Sequence, residues 1–404
     1  MKNNIPQGYK ATALGIIPQE WEVKFLGDLL SRCANGLTYD VSITSGIPVT
    51  RIETISTGEI NYAKVGYIPN ESGYEIFRMQ KGDILYSHIN SLSQIGKVAY
   101  YKGDKEIYHG MNLLLLRANE SLNKQYLYYT LLTDHMRHMA QVIAKPAVNQ
   151  ASISTSDLKR VKIAVPPLAE QRKIAEVLGV WDEAIEKQAR LIEKLALRKR
   201  ALMQRLLSAK LRLPGFSEPW KTHKLQELFT ERNETNRTDL PLLSITGDRG
   251  VILQTESEKR DTSNDDKSKY KRIAKGDIGY NTMRMWQGRS ALSGLEGIVS
   301  PAYTIVVPNT DVDGYYMSVL FKQPRLIYDF WTHSQGLVGD TLNCKYRDFG
   351  QVHICCPPLA EQKAITEVLT AADREIELAK EELERLRRQK RGLMQQLLTG
   401  KKRI

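Results

Sequence analysis

Two loops carry side chains suited to reading DNA bases. Ser87-His-Ile-Asn-Ser-Leu-Ser-Gln-Ile-Gly-Lys97 and Asn281-Thr-Met-Arg-Met-Trp-Gln-Gly-Arg289 each follow a short Lys-Gly-Asp-Ile segment, Lys81–Ile84 and Lys275–Ile278. Asn and Gln can pair bidentately with adenine, Arg and Lys with guanine and Ser with either, while a neighbouring cation can meet a phosphate. Asn90, Ser91, Gln94 and Lys97 in the first loop, and Arg284, Trp286, Gln287 and Arg289 in the second, are therefore candidate DNA contacts. A further polar stretch in each half adds Lys145, Asn149 and Gln150, then Gln335 and Asn343, and Arg249 completes the set. For each of them an ordinary surface turn is the competing reading. Trp286 is either a stacking group or a packed side chain.

Other reactive constellations are missing from the sequence. Neither GxGxxG nor GxxxxGK[ST] occurs, so the common dinucleotide and nucleotide cradles are not expected. Both Pro-Pro pairs are followed by leucine, so the NPPY-type pocket of an adenine methyltransferase is absent as well. His135 and His138 lie three residues apart without HExxH or cysteine partners, and we assign no metal ligand and no catalytic residue. Cys33, Cys344, Cys355 and Cys356 form no CxxC pair, which suits a reducing compartment. No apolar run approaches the roughly 18–20 residues of a bilayer span, and the start lacks the apolar core of a signal peptide. A cytoplasmic protein with no membrane association is expected. An excess of 58 basic over 46 acidic residues, net +12, fits a polyanionic partner without selecting one.

The loops must be positioned by the elements around them, and a repeat organises these. Pro166-Pro-Leu-Ala-Glu-Gln-Arg-Lys-Ile-Ala-Glu-Val-Leu178 returns 191 residues later as Pro357-Pro-Leu-Ala-Glu-Gln-Lys-Ala-Ile-Thr-Glu-Val-Leu369. Arg200-Ala-Leu-Met-Gln-Arg-Leu-Leu-Ser208 maps without a gap onto Arg391-Gly-Leu-Met-Gln-Gln-Leu-Leu-Thr399. Ile174, Leu178, Trp181, Ile185, Ile192, Leu195, Leu202 and Leu206 follow the alternating spacing of a coiled-coil seam, with Gln188 and Lys199 at its polar places. Ile365, Leu369, Ile376, Leu383, Leu386, Leu393 and Leu397 repeat that seam around Ala372, Ala379 and Lys390. Both helices open acidic and close basic, so antiparallel pairing sets opposite charges together and implies a pseudo-twofold internal repeat. Complementing each helix's own dipole is the simpler account of the same charges.

Four segments result: 1–165, 166–212, 213–356 and 357–404. The first and third alternate short apolar strands with turns around one helix, near Tyr126–Val142 and Tyr315–Trp331, so the fold class is α+β with two long antiparallel helices. The third segment is neutral overall. Lys267, Lys269, Lys271, Arg272, Lys275, Arg284 and Arg289 could still form a local basic face, or only a solvated charged loop.

Two variable α+β segments, each followed by a helix opening Pro-Pro-Leu-Ala-Glu-Gln and closing Leu-Met-Gln-x-Leu-Leu, resemble the specificity (S, HsdS) subunits of type I restriction–modification enzymes. The lead-in Gly15-Ile-Ile-Pro-Gln-Glu-Trp21 belongs to the pattern, and Leu213–Trp220 matches it more weakly. The resemblance covers essentially the whole chain. It implies a non-catalytic reader of double-stranded DNA in which 1–165 and 213–356 are target-recognition domains for the halves of a split, asymmetric site. The helices would set the spacer and dock two methyltransferase (M) subunits, with restriction (R) subunits joining for phage defence. S-adenosylmethionine, ATP and Mg would then belong to those partners, and this chain would hold no cofactor. A methylation-only complex, or a coiled-coil scaffold without a DNA role, are the alternatives.

Overall fold

A computed structural model of the chain describes residues 5–147, 150–247, 249–257, 264–336 and 342–404. Packing divides it into two compact units, Met1–Ala189 with Glu381–Ile404, and Arg190–Lys380. Both long helices, Leu168–Leu206 and Leu359–Leu397, cross the division, so each starts in one unit and finishes in the other.

In the first unit, strands Leu30–Asn35, Leu114–Ala118, Ile84–Tyr86 and Val98–Tyr100 lie side by side in that order, all antiparallel. In the second, Phe229–Glu231, Tyr303–Pro308, Ile278–Asn281 and Ser290–Leu292 repeat the order. The strand after each lead-in tryptophan pairs with the strand before each Pro-Pro: Glu22–Phe25 with Lys162–Val165, and Lys221–Lys224 with His353–Cys356.

Where the sequence predicts one helix after the sheet, each unit has two, Lys124–Leu131 and Asp134–Ile143, or Gly314–Leu320 and Pro324–His333. Capping explains the breaks. Thr133 accepts from the Met136 amide to start a new helix, and Pro324, lacking an N–H, sits at a first-turn position. A further strand of the first unit, Ile47–Val49, ends shortly before a 3₁₀ turn at Ile52–Ile55.

Within each unit the two long helices pack antiparallel. In the first unit Ile174 and Leu178 share a core with Leu397 and Leu398. In the second, Leu195 packs with Ile376 and Ala379, while Leu206 shares a core with Ile365 and Leu369. The remaining apolar seam residues, Trp181, Ile185, Ile192, Leu202, Leu383, Leu386 and Leu393, are buried or half-buried. The seam lysines have partners. Lys390 pairs with Asp182, whose other oxygen accepts from the Tyr129 hydroxyl at 2.7 Å, and Lys199 pairs with Asp373, which accepts from Tyr315 at 2.6 Å. One polar contact per seam of this kind disfavours shifted registers, since a slip strands a charge against leucine.

The repeated Pro-Pro-Leu-Ala-Glu-Gln segment works as a clasp. Gln171 and Gln362 are buried; their carbonyl oxygens accept from the amides of Asn123 (2.7 Å) and Asp313 (2.9 Å), and their amide groups donate to Pro166 and Pro357. The Glu170 carboxylate accepts from the Trp21 indole (3.0 Å) and from Arg403 through Nε and Nη2 (2.6 and 3.0 Å). Glu361 accepts from Trp220 (3.2 Å) and bidentately from Arg212 (2.6 and 2.8 Å). The start of one long helix is thus closed, in each unit, by an arginine that follows the end of the other.

Candidate nucleic-acid interface

Backbone pairing unites polar segments far apart in sequence. In the first unit, Lys145–Ala147, Gln150–Ser152 and Ile89–Asn90 form one three-stranded sheet, with Ala151 opposite Asn90. Lys145, Gln150 and Asn90 therefore share a sheet, and the Ile153 amide donates to the His88 carbonyl at 2.8 Å to extend it. In the second unit Gln335 and Asn343 exchange two backbone hydrogen bonds, 2.9 and 2.8 Å, and the Cys344 amide donates to the Thr282 carbonyl at 2.8 Å. The same join is made twice, by different side chains.

The first loop is a tight turn. Asn90 donates from Nδ2 to Ser87 Oγ and accepts from the Ser91 amide, and the Ser91 and Ser93 hydroxyls are 3.2 Å apart. Lys97 turns back to the Ser56 carbonyl at 2.7 Å, Gln94 is half-buried, and Ser91 and Gln150 are exposed. Gly96, at φ +79°, brings the loop so close to the second helix that a Cβ there would stand 2.6 Å from the Ala140 Cβ. Asn149 lies outside the described residues.

The second loop is built alike. Gly288, at φ +70°, seats it on Ile327, again in the second helix. Arg284, Gln287, Arg289 and Gln335 are exposed, whereas the oxygen of the half-buried Asn343 side chain has no partner among the described residues. Arg289 reaches within 2.5 Å of where a Gly247 Cβ would stand, so the absence of a side chain at Gly247 makes room for the guanidinium. Arg249, in the same hairpin, donates to the Glu256 carbonyl at 3.0 Å. Trp286 is half-buried and its indole donates to the Met283 carbonyl at 3.0 Å.

Electrostatics narrows the basic face. Arg272 is paired with Glu234 (2.7 Å) and Glu296 (2.5 Å), and Lys271 lies 3.8 Å from Glu231, so these two cations are answered by acids of their own unit. That corrects their reading as part of an open basic patch. The Lys-Gly-Asp-Ile aspartates are structural: Asp83 takes two 2.7 Å bonds from Arg117 and one from the Gln80 amide, and Asp277 is held by Arg232 and the Ala274 amide. Lys145 faces Asp157, whose pKa is lowered by hydrogen bonds from Ser154 and then from Lys145. His109 is fully buried; its Nε2 donates to the Leu113 carbonyl at 2.9 Å, and burial pushes its pKa down to about 4. Among the described residues no group of three His, Cys, Asp or Glu could hold a metal, and His135 and His138 are both exposed. None of the helices there is long and apolar enough to cross a membrane.

A family model described as the type I restriction modification DNA specificity domain matches residues 18–196. The MjaX type I restriction enzyme specificity subunit of Methanocaldococcus jannaschii is 35% identical to this chain, over 98% of this chain and 97% of that protein. The EcoKI specificity subunit of Escherichia coli is 24% identical over 40% of this chain and 36% of its own length. Among solved structures, the HsdS subunit of Thermoanaerobacter tengcongensis covers 95% of this chain and 98% of its own at TM-score 0.51 and 16% identity. A chain from a structure of type I R-M complex assembly and conformational transition covers 95% and 99% at TM-score 0.59 and 17% identity. These two likenesses bear on the fold.

Proposed function

This chain belongs to the specificity subunits of type I restriction–modification enzymes, and on that premise we propose which of its parts read DNA and how. Each unit reads one half of a bipartite, asymmetric site in double-stranded DNA. In the first, Asn90, Ser91, Gln94, Lys97, Lys145 and Gln150 supply the contacts. In the second, Arg284, Trp286, Gln287, Arg289, Gln335, Asn343 and Arg249 do so. The supporting observation is the join made twice, Ile153 to His88 and Cys344 to Thr282, which sets the loop and the later polar stretch of each unit side by side. A shared backbone frame with different side chains is what two different half-sites require.

Residues 1–165 and 213–356 serve as the recognition domains in this reading, and the long helices set the unread spacer and dock two methyltransferase subunits. The chain itself is non-catalytic. S-adenosylmethionine, ATP and Mg act in the partners, with restriction subunits joining the complex in the cytoplasm. The target adenine is extruded into the methyltransferase pocket, so this subunit's task is to position the duplex.

The test is to co-express the chain with its methyltransferase subunit and map N6-methyladenine by single-molecule sequencing. A split motif that depends on this chain is expected, with Gln94→Ala or Gln150→Ala relaxing one half and Arg284→Ala or Gln335→Ala the other. Equal shifts in both halves would refute the assignment, and no motif from a soluble complex would return the chain to a scaffold role.

A further inference from the structure

The second helix of the second unit, Pro324–His333, buries Leu326 and Phe330 and leaves two large rings in solvent. Tyr328 is 60% and Trp331 48% exposed, with ring centroids 5.6 Å apart. The core has no need of them. Phe330 already packs with Phe321 and Phe349 in an aromatic cluster that also takes in Phe229 and Tyr280. Exposed rings of this size, held as a pair, mark a contact surface.

Their surroundings indicate what is contacted. Ile327, next to Tyr328 and one turn before Trp331, carries the Gly288 end of the loop bearing Arg284, Gln287 and Arg289. Met283 of that loop is 47% exposed, and four residues beyond Trp331 the backbone enters the Gln335–Asn343 pairing. Arg325 of the helix and Arg284 and Arg289 of the loop seated on it are exposed, and the helix carries one acid, the half-buried Asp329. Exposed cations on this helix and on the loop seated on it, together with exposed aromatic rings, suit duplex DNA, whose sugars and thymine methyl groups offer apolar surface between phosphates.

The first unit separates this from docking of a protein partner. Its equivalent helix, Asp134–Ile143, buries Met136 and Ala140 where the second buries Leu326 and Phe330, and each helix seats a glycine of its unit's loop, Gly96 on Ala140 and Gly288 on Ile327. At the places of Tyr328 and Trp331 it carries His138 and Gln141. Two identical methyltransferase subunits would need docking features present in both units, whereas half-site readers must differ.

We propose that Tyr328 and Trp331 form an aromatic contact with the sugars and thymine methyl edges of duplex DNA, confined to the half-site read by the second unit. The proposal rests on the DNA-reading function above and adds residues that the loops alone do not include.

The experiment uses the chain assembled with its methyltransferase subunits and a duplex bearing the methylation motif mapped for the wild type. Tyr328→Ala combined with Trp331→Ala should weaken binding about tenfold or more, while base changes in the second half lose part of their effect and those in the first half keep theirs. Trp331→Phe, which keeps a ring, should bind close to wild type. Unchanged affinity in the double variant with the wild-type motif intact would overturn this inference alone. Loss of methyltransferase assembly would also overturn it, in favour of a protein-docking patch. A wild type with no split motif would overturn both this inference and the reading beneath it.

Discussion

Replacing Arg212 by Met removes the guanidinium both from the Glu361 carboxylate and from its place over the Trp220 ring, 5.8 Å from the ring centroid, and keeps an apolar stem of similar length. Glu361 has a side chain only 1% exposed and takes two short charge-assisted bonds from Arg212. Leaving such a carboxylate without its cation costs about 3–5 kcal/mol. Two features offset part of that: Trp220 still donates at 3.2 Å, and a first-turn carboxylate gains up to about 1 kcal/mol from the helix N-terminus. The net loss should be about 2–4 kcal/mol. Because the chain forms two units, hydrogen exchange resolved by peptide suits the measurement better than one global melt. Core amides of residues 359–380 should exchange about 30- to 1,000-fold faster, with those of 168–189 unaltered. Arg212→Met with Glu361→Leu should recover most of the loss, since apolar replacements for a buried pair are often neutral. Half-buried Trp220 can then donate to water. Exchange within about twofold of wild type for the single variant, or a double variant as damaged as the single, would refute the buried-charge argument.

His109 predicts a pH dependence. Its folded pKa, about 4, lies below the ordinary 6.5, so the unfolded chain binds the extra proton and stability falls as pH drops from about 6.5 towards 4. Comparing urea titrations of wild type and His109→Gln across that range should show a wild-type excess loss of up to about 3 kcal/mol; parallel curves would contradict it. Gly96→Ala forces φ +79° on an L-residue and sets its Cβ 2.6 Å from Ala140, so the first unit's melting should fall by about 1–2 kcal/mol or more, and an unchanged melt would show that the loop is not seated there.

The long helices were legible because a seam of leucines repeats locally and twice, and their antiparallel pairing because the charge of each helix is polarised. Segments such as Ile278–Asn281 declared themselves by apolar runs beside turns. Arg212 and Arg403 were not legible as clasp residues, since nothing local marks a surface arginine that will meet a buried glutamate 149 or 233 residues away. The break at Thr133 was hidden by apolar spacing that continues through it, although a threonine before Asp134 is an N-cap signal. For the candidate interface, residue types in the loops were informative, while their neighbours depended on pairings such as Ala151 opposite Asn90 that only the folded chain specifies. The exposure of Tyr328 and Trp331 was not legible either; it follows because Phe330 and Leu326 already fill the apolar face.

The crossing of both long helices between units bears on the order in which the chain acquires structure as it is made. Arg190–Lys380 is continuous, so every residue it packs exists once the ribosome has passed Lys380. The first unit is emitted in two instalments: its core includes Leu397 and Leu398, and its Glu170 waits for Arg403. Although its strands are translated first, that unit finishes last, and until then Ile174 and Leu178 lack part of their apolar cover. The amino-terminal unit therefore cannot complete its core before the segment after Lys380 has been made.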